Sequence, residues 1–234
     1  MEIAGFKKFT LADYPGKRSA VLYFKGCNYR CPFCFNSYLV SEEEIKKHIS
    51  FPLRNFLSFL NKSDLEGVSL DGGEPTLQKS LPKLCRKIKR KGFFLKLNTN
   101  GSNPEMLREL IAEKLIDYVA LDIKSSRRKY PKSVGFKDCS KSYLLAKIDE
   151  SIDILKKSNI DYQFQTTLVP KLVNKKDIQR IVKWVGPAEK YVLRNFQNQE
   201  VMDLEFSKVK PYSQKFLYSL KTIAEPFFKS VEVY

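Results

Sequence analysis

The chain reads as an α/β protein, a partial (β/α)6 barrel of parallel strands, on two observations. Short runs rich in β-branched, aromatic or leucine residues alternate from end to end with runs of helical apolar spacing. Polar and glycine-rich words follow the strand-like runs, which is where parallel α/β folds collect their ligands.

The strand-like runs are Ser19–Phe24, Gly67–Leu70, Phe93–Asn98, Tyr118–Asp122, Tyr162–Val169 and Tyr191–Phe196, each bounded by turn residues. After the first, Ser41 and Glu44 form a capping-box pair at a helix start. Pro52 stands near the start of a continuation that places Leu53, Phe56, Leu57 and Leu60 on one face. A helix from about Lys79 to Lys91 stops at Gly92. Asn103-Pro104 reads as an N-cap followed by proline at the first helical position. Further helices are expected over Tyr143–Lys157, Lys175–Val185 and Ser213–Ala224. Repeated βα units of this kind imply right-handed crossovers between parallel strands. Six are too few to close an eight-stranded barrel. With no low-complexity linker, residues 1–234 read as one domain.

Hydrophobic residues at 43% suffice for a buried core without disulfides. Neither a long apolar run nor a secretory signal is visible, so a cytoplasmic protein without a membrane span is expected. Cysteine use agrees, because three of the five cysteines crowd into Cys27–Cys34, unlike a secreted disulfide framework. Cys85, among Leu81, Leu84 and Ile88, reads as a core residue. Cys139, in a polar stretch, has no assigned role. The net charge of +16 suits an acidic protein partner or an anionic cofactor. The densest basic run, Arg86–Lys91, alternates with apolar helix positions and lacks interleaved aromatics, which favours a solvated face over nucleic-acid binding.

Cys27-Asn28-Tyr29-Arg30-Cys31-Pro32-Phe33-Cys34 has the spacing C-x₃-C-x₂-C. Three thiolates this close can wrap one side of a cubane cluster, leaving one iron open to a ligand. Tyr29 and Phe33 lie between the ligands, where they would shield such a cluster from water. A Cys₃His zinc site completed by His48 is the other use of this spacing.

Together with Gly72-Gly73-Glu74-Pro75, this loop resembles the radical S-adenosylmethionine superfamily. The words Asp13-Tyr14-Pro15-Gly16-Lys17, Thr99-Asn100-Gly101, Asp122-Ile123-Lys124 and Thr166-Thr167-Leu168-Val169-Pro170 narrow the resemblance to glycyl-radical-enzyme activating proteins. The motif order is most like that of the activator of anaerobic ribonucleoside-triphosphate reductase. The resemblance implies a [4Fe–4S] cluster on Cys27, Cys31 and Cys34, with S-adenosylmethionine beside it at the carboxyl ends of the strands.

By the same resemblance, Gly72 and Gly73 present backbone to the methionyl amino group. Thr99, Asn100, Asp122 and Lys124 contact the ribose and methionyl ends, and Phe33 and Phe35 pack near the adenine. A flavodoxin or ferredoxin would donate the electron, and the radical from cleavage of the cofactor would take a Cα hydrogen from a glycine of the partner enzyme. The sequence departs from the family at Phe35, where histidine is common, at Asn98, where an acid is common, and at Asp71, where serine is common. The other enzymatic reading keeps the same residues but acts on a nucleoside, a tRNA or a small metabolite. A third reading is a non-catalytic metal-binding or electron-transfer module.

Overall fold

Strands that must be buried on both faces select β-branched, aromatic and leucine side chains, and these segments form one eight-stranded sheet in the computed structural model. Residues 1–47, 50–135, 141–199 and 201–234 are described, without the side chains of Glu42 and Glu44. The strands are β1 (Ile3–Thr10), β2 (Ser19–Phe24), β3 (Gly67–Gly72), β4 (Phe94–Thr99), β5 (Tyr118–Asp122), β6 (Asp161–Leu168), β7 (Ala188–Asn195) and β8 (Phe228–Val233). They hydrogen-bond in sequence order, β1 antiparallel to β2 and every later pair parallel.

The six expected strands are β2 to β7, with ends moved by a few residues. The strand count is therefore corrected from six to eight. β1 (Ile3–Thr10) was not foreseen because only its end residues are buried and its pairing with β2 slips twice, so no alternation survives. β8 mixes Lys229, Ser230 and Glu232 with buried Phe228 and Val231. Charges of this kind blunt a sheet edge and hide it from pattern reading.

The expected helices stand close to their predicted limits. Asn103 accepts from the Met106 N–H to cap Pro104–Ala112, and Ser213 caps Gln214–Ala224 in the same way. Lys175–Val185 carries an unforeseen capping box between Asn174 and Asp177. Glu42–Lys47 and Leu53–Leu60 are separate helices, with extended Pro52 leading the second. The Ser41–Glu44 capping pair depends on a side chain outside the description, and His48 and Cys139 lie outside the described residues. Among those residues no helix is long and apolar enough to cross a membrane.

The helices cover one face of the strands. Leu22, Leu70, Leu97, Leu121, Phe164 and Leu193 pack there with Leu84, Leu107, Ile152, Ile181 and Leu217 in one buried cluster. Cys85 belongs to it, as expected of a core cysteine. The period of two turns the alternate residues the other way. Across that inner face, Asn98 stands beside Ala120, Asp122 beside Gln165 and Thr167 beside Arg194. A polar surface is thereby laid out under the carboxyl ends of the strands.

Candidate active site

Every residue that the resemblance implies as a cluster or cofactor contact lines a cavity of about 290 Å³ at those ends, while His48, the other candidate ligand, lies outside the described residues. Cys27, Cys31 and Cys34 form one wall, with Phe33 and Phe35. Gly72, Gly73, Thr99, Asn100, Asp122 and Lys124 come from the ends of β3, β4 and β5. Tyr29 and Phe33 are buried, whereas Phe35 is 61% exposed and stands at the mouth.

The cysteine loop is clamped from several sides by its backbone. Gly26 donates to Leu39, Arg30 to Val134, Met202 to Cys34 and Asp203 to Pro32. The turn after β3 presses against the start of this loop, where the Gly73 N–H donates to the Phe24 carbonyl and the Glu74 N–H to that of Gly26. This closeness explains the two glycines. A Cβ on Gly72, which has φ +114°, would stand 2.5 Å from the Phe24 backbone, and one on Gly73 would stand 2.0 Å from the Gly26 oxygen. The glycines are therefore required by strand-to-loop packing, whatever binds above them.

Glu74, 1% exposed, ties the walls together. Its Oε1 accepts from the Thr76 N–H and hydroxyl at 3.1 and 2.5 Å and from the Thr99 hydroxyl at 2.7 Å. Its Oε2 accepts from the Asn100 N–H at 2.7 Å. Burial raises its carboxyl, and these donors oppose the rise. Thr99 thus spends its hydroxyl on Glu74 and on the Gly101 N–H. Asn100 turns its Nδ2 toward the sulfur of Cys27, 3.8 Å away, and to Asn28 Oδ1 at 3.0 Å.

At the end of β5, Lys124 Nζ meets Asp122 Oδ2 at 2.8 Å while Gln165 Nε2 donates to Asp122 Oδ1 at 2.8 Å. Burial alone would lower the Lys124 pKa, but the Asp122 carboxylate beside it outweighs burial and the ammonium is held. Deeper in, Lys96 is almost wholly buried and donates to the Asp13 carbonyl at 2.6 Å. Burial first, and Arg194 second, push its pKa down to about 8. Burial lifts Asp71 to about 6, with Asp122 adding to the rise and the Gly72 N–H opposing it. Sequence reading missed Lys96, Gln165 and Arg194 as cavity residues. The available signal was a lysine set between leucines in a strand buried on both faces.

Burial also lifts the thiols, Cys27 to about 11 and Cys31 to about 12, with Cys34 moved the same way. Burial therefore favours the protonated thiols at neutral pH, and a metal centre must displace those protons to bind. Among the described residues no group of three His, Cys, Asp or Glu is arranged around a single ion. The donor chemistry fits an iron–sulfur cluster, with three soft thiols lining the cavity. Two N–H groups, of Tyr29 at 3.4 Å and of Asn100, face the Cys27 sulfur.

Comparisons with known proteins identify the family. The family model described as the Radical SAM superfamily matches residues 21–185, from β2 through the helix before β7. A Methanocaldococcus jannaschii protein named as a candidate glycyl-radical enzyme activating enzyme is 35% identical over 232 residues, covering 99% of this chain and 95% of that one. A second protein of the same organism and description is 29% identical over 162 residues, 69% of this chain and 60% of its own. Among solved structures, Streptococcus suis SuiB bound to precursor peptide SuiA superposes with a TM-score of 0.67 at 14% identity. That match covers 92% of this chain but about half of SuiB, 48%, and at such identity it speaks for the fold.

Proposed function

The chain belongs to the radical SAM superfamily, and on that premise we propose that it is an activase that installs a glycyl radical on a partner enzyme. The partner we favour is an anaerobic ribonucleoside-triphosphate reductase. The observation that carries this reading is the meeting of three thiols, the Gly72–Gly73 turn and the Asp122–Lys124 pair on one cavity. The 35% identity to a relative named for activation of glycyl-radical enzymes supports the same assignment.

In this reading residues 1–234 act as one domain, and Cys27, Cys31 and Cys34 hold a [4Fe–4S] cluster with S-adenosylmethionine beside it. That pair supplies one-electron reductive cleavage of a sulfonium and, through it, hydrogen-atom abstraction. The protein's part is to bind, orient and keep water out. The N–H groups of Gly73 and Glu74 are already engaged, so this turn offers carbonyl oxygens, the acceptors an amino group needs. Lys124 is a fixed cation for a carboxylate, and Asp122 holds it in place. Thr99 and Asn100 hold their side of the cavity through Glu74. Phe33, buried, and Phe35, at the mouth, supply apolar surface to an adenine. The +16 charge favours docking of an acidic partner or of an acidic donor such as flavodoxin or ferredoxin.

A second reading, a radical enzyme acting on a nucleotide-like metabolite, draws on the cations Lys96 and Arg194 in the cavity floor. One experiment separates the two. The chain is reconstituted anaerobically, reduced and given S-adenosylmethionine, alone and with a candidate reductase. Release of 5′-deoxyadenosine with a glycyl-radical EPR doublet on the reductase is the expected result. Deoxyadenosine formed only as a small metabolite is consumed, with no protein radical, would replace the activase reading with the second.

A further inference from the structure

We propose that Asn100 is a positioning residue for the redox centre. Its side-chain N–H donates to the Cys27 sulfur and holds the reduction potential of the cluster above the value the thiolates alone would set. The inference rests on the cluster reading above and goes beyond it, because it concerns a group that touches a ligand sulfur.

The orientation of the Asn100 amide follows from its neighbours. The Ser102 N–H can only donate, and it lies 2.9 Å from Asn100 Oδ1. The oxygen is therefore turned to Ser102 and Nδ2 to the cysteine loop, where it meets Cys27 Sγ at 3.8 Å and Asn28 Oδ1 at 3.0 Å. Asn28 closes the ring by donating to the Ser102 hydroxyl at 2.8 Å. The Asn100 backbone is pinned in turn by the buried Glu74 carboxylate. A side chain fixed at its backbone, its oxygen and its nitrogen has little freedom to turn away from the sulfur.

The direction of the effect follows from charge. Reducing an iron–sulfur cluster by one electron adds negative charge that its sulfurs share, and an N–H dipole pointed at a ligand sulfur stabilises the more negative state. The Tyr29 N–H does the same from the backbone at 3.4 Å, whereas Asn100 contributes through a replaceable side chain. A net hydrogen bond of ordinary strength implies about threefold less reduced cluster at a fixed poise once it is lost. At 59 mV per decade for one electron, that is ~30 mV in the negative direction.

The test compares wild type, Asn100→Asp and Asn100→Ala after anaerobic reconstitution. Iron and sulfide content are measured, followed by an EPR-monitored redox titration with no S-adenosylmethionine present. Asn100→Asp keeps the acceptor for the Ser102 N–H while losing the donor and adding negative charge. Asn100→Ala loses both the donor and the acceptor. Full cluster content with potentials falling in the order wild type, Ala, Asp is the expected result. A loosened loop would instead perturb Ala at least as much as Asp. Unchanged potentials overturn the proposal, as do variants that take up no cluster where wild type does, since Asn100 would then serve assembly. A wild-type chain that binds no cluster removes the reading on which the proposal stands, and the iron content identifies that case.

Discussion

Two faces of the same strands follow opposite rules. On β4 (Phe94–Thr99), Leu95 and Leu97 turn toward the helices and are buried among leucines and isoleucines. Lys96 and Asn98, one residue away in each case, turn to the inner face and are buried among other polar groups. The helix side is held by burial of apolar surface, worth ~25 cal/mol per Å². The inner side gains little from that term and is held by individual hydrogen bonds, as Asn98 makes with Ser69 and Asp71 at 3.0 Å each. In this molecule stability and reactivity are thus separated by a single peptide unit, and substitutions on the two faces should fail differently.

The largest effect belongs to the cavity side. Cys31→Ala is expected to abolish both cluster uptake and formation of 5′-deoxyadenosine while leaving the far-UV circular dichroism and the unfolding midpoint close to wild type. The sulfur sits in a loop clamped by backbone bonds that do not involve its side chain. A Cys31→Ala protein that unfolds would mean the cysteine loop is structural and would erase the contrast. The opposite signature is expected one layer away. Leu97→Ala should destabilise the fold by ~2–5 kcal/mol, read from urea denaturation, because Leu97 is fully buried against the helices. Folded molecules of that variant should retain their thiols in place and still take up iron.

The contrast also explains what was legible in advance. Cys27, Cys31, Cys34, Gly72 and Gly73 stood out because their chemistry is confined to short loop words, where residue type and spacing are visible along the chain. The function of Glu74 was not visible, because beside the local Thr76 its partners Thr99 and Asn100 come from the end of another strand. Gln165 and Arg194 escaped for a related reason, since their places are set by strand register, Asp122 beside Gln165 and Thr167 beside Arg194. The reason first given for Gly72 and Gly73, open approach to a ligand, was incomplete, because their missing side chains also make room for the Phe24–Gly26 backbone. β1 and β8 were overlooked because edge strands carry charges and need not alternate.

The smallest effect concerns Lys96 and sharpens the comparison through pH. The Lys96 side chain is buried, and its pKa falls from 10.5 to about 8, by burial first and then by repulsion from Arg194. Near neutral pH the folded and unfolded chains both hold this proton, so the folded state carries the whole penalty of a desolvated ammonium. From about pH 8 toward 10.5 the folded chain has released the proton while the unfolded chain still keeps it. The unfolded state then binds more protons, and stability contributed by this site rises with pH, on the order of 1–3 kcal/mol in total. Lys96→Met carries no such proton, so its stability relative to wild type should shrink by that amount over the same range. Chemical denaturation of the cluster-free chain at a series of pH values measures the difference between the two proteins and cancels the tyrosines and thiols that titrate nearby. Parallel curves would show that water in the cavity solvates the ammonium, and the inner face would then be a wet channel rather than a dry polar layer.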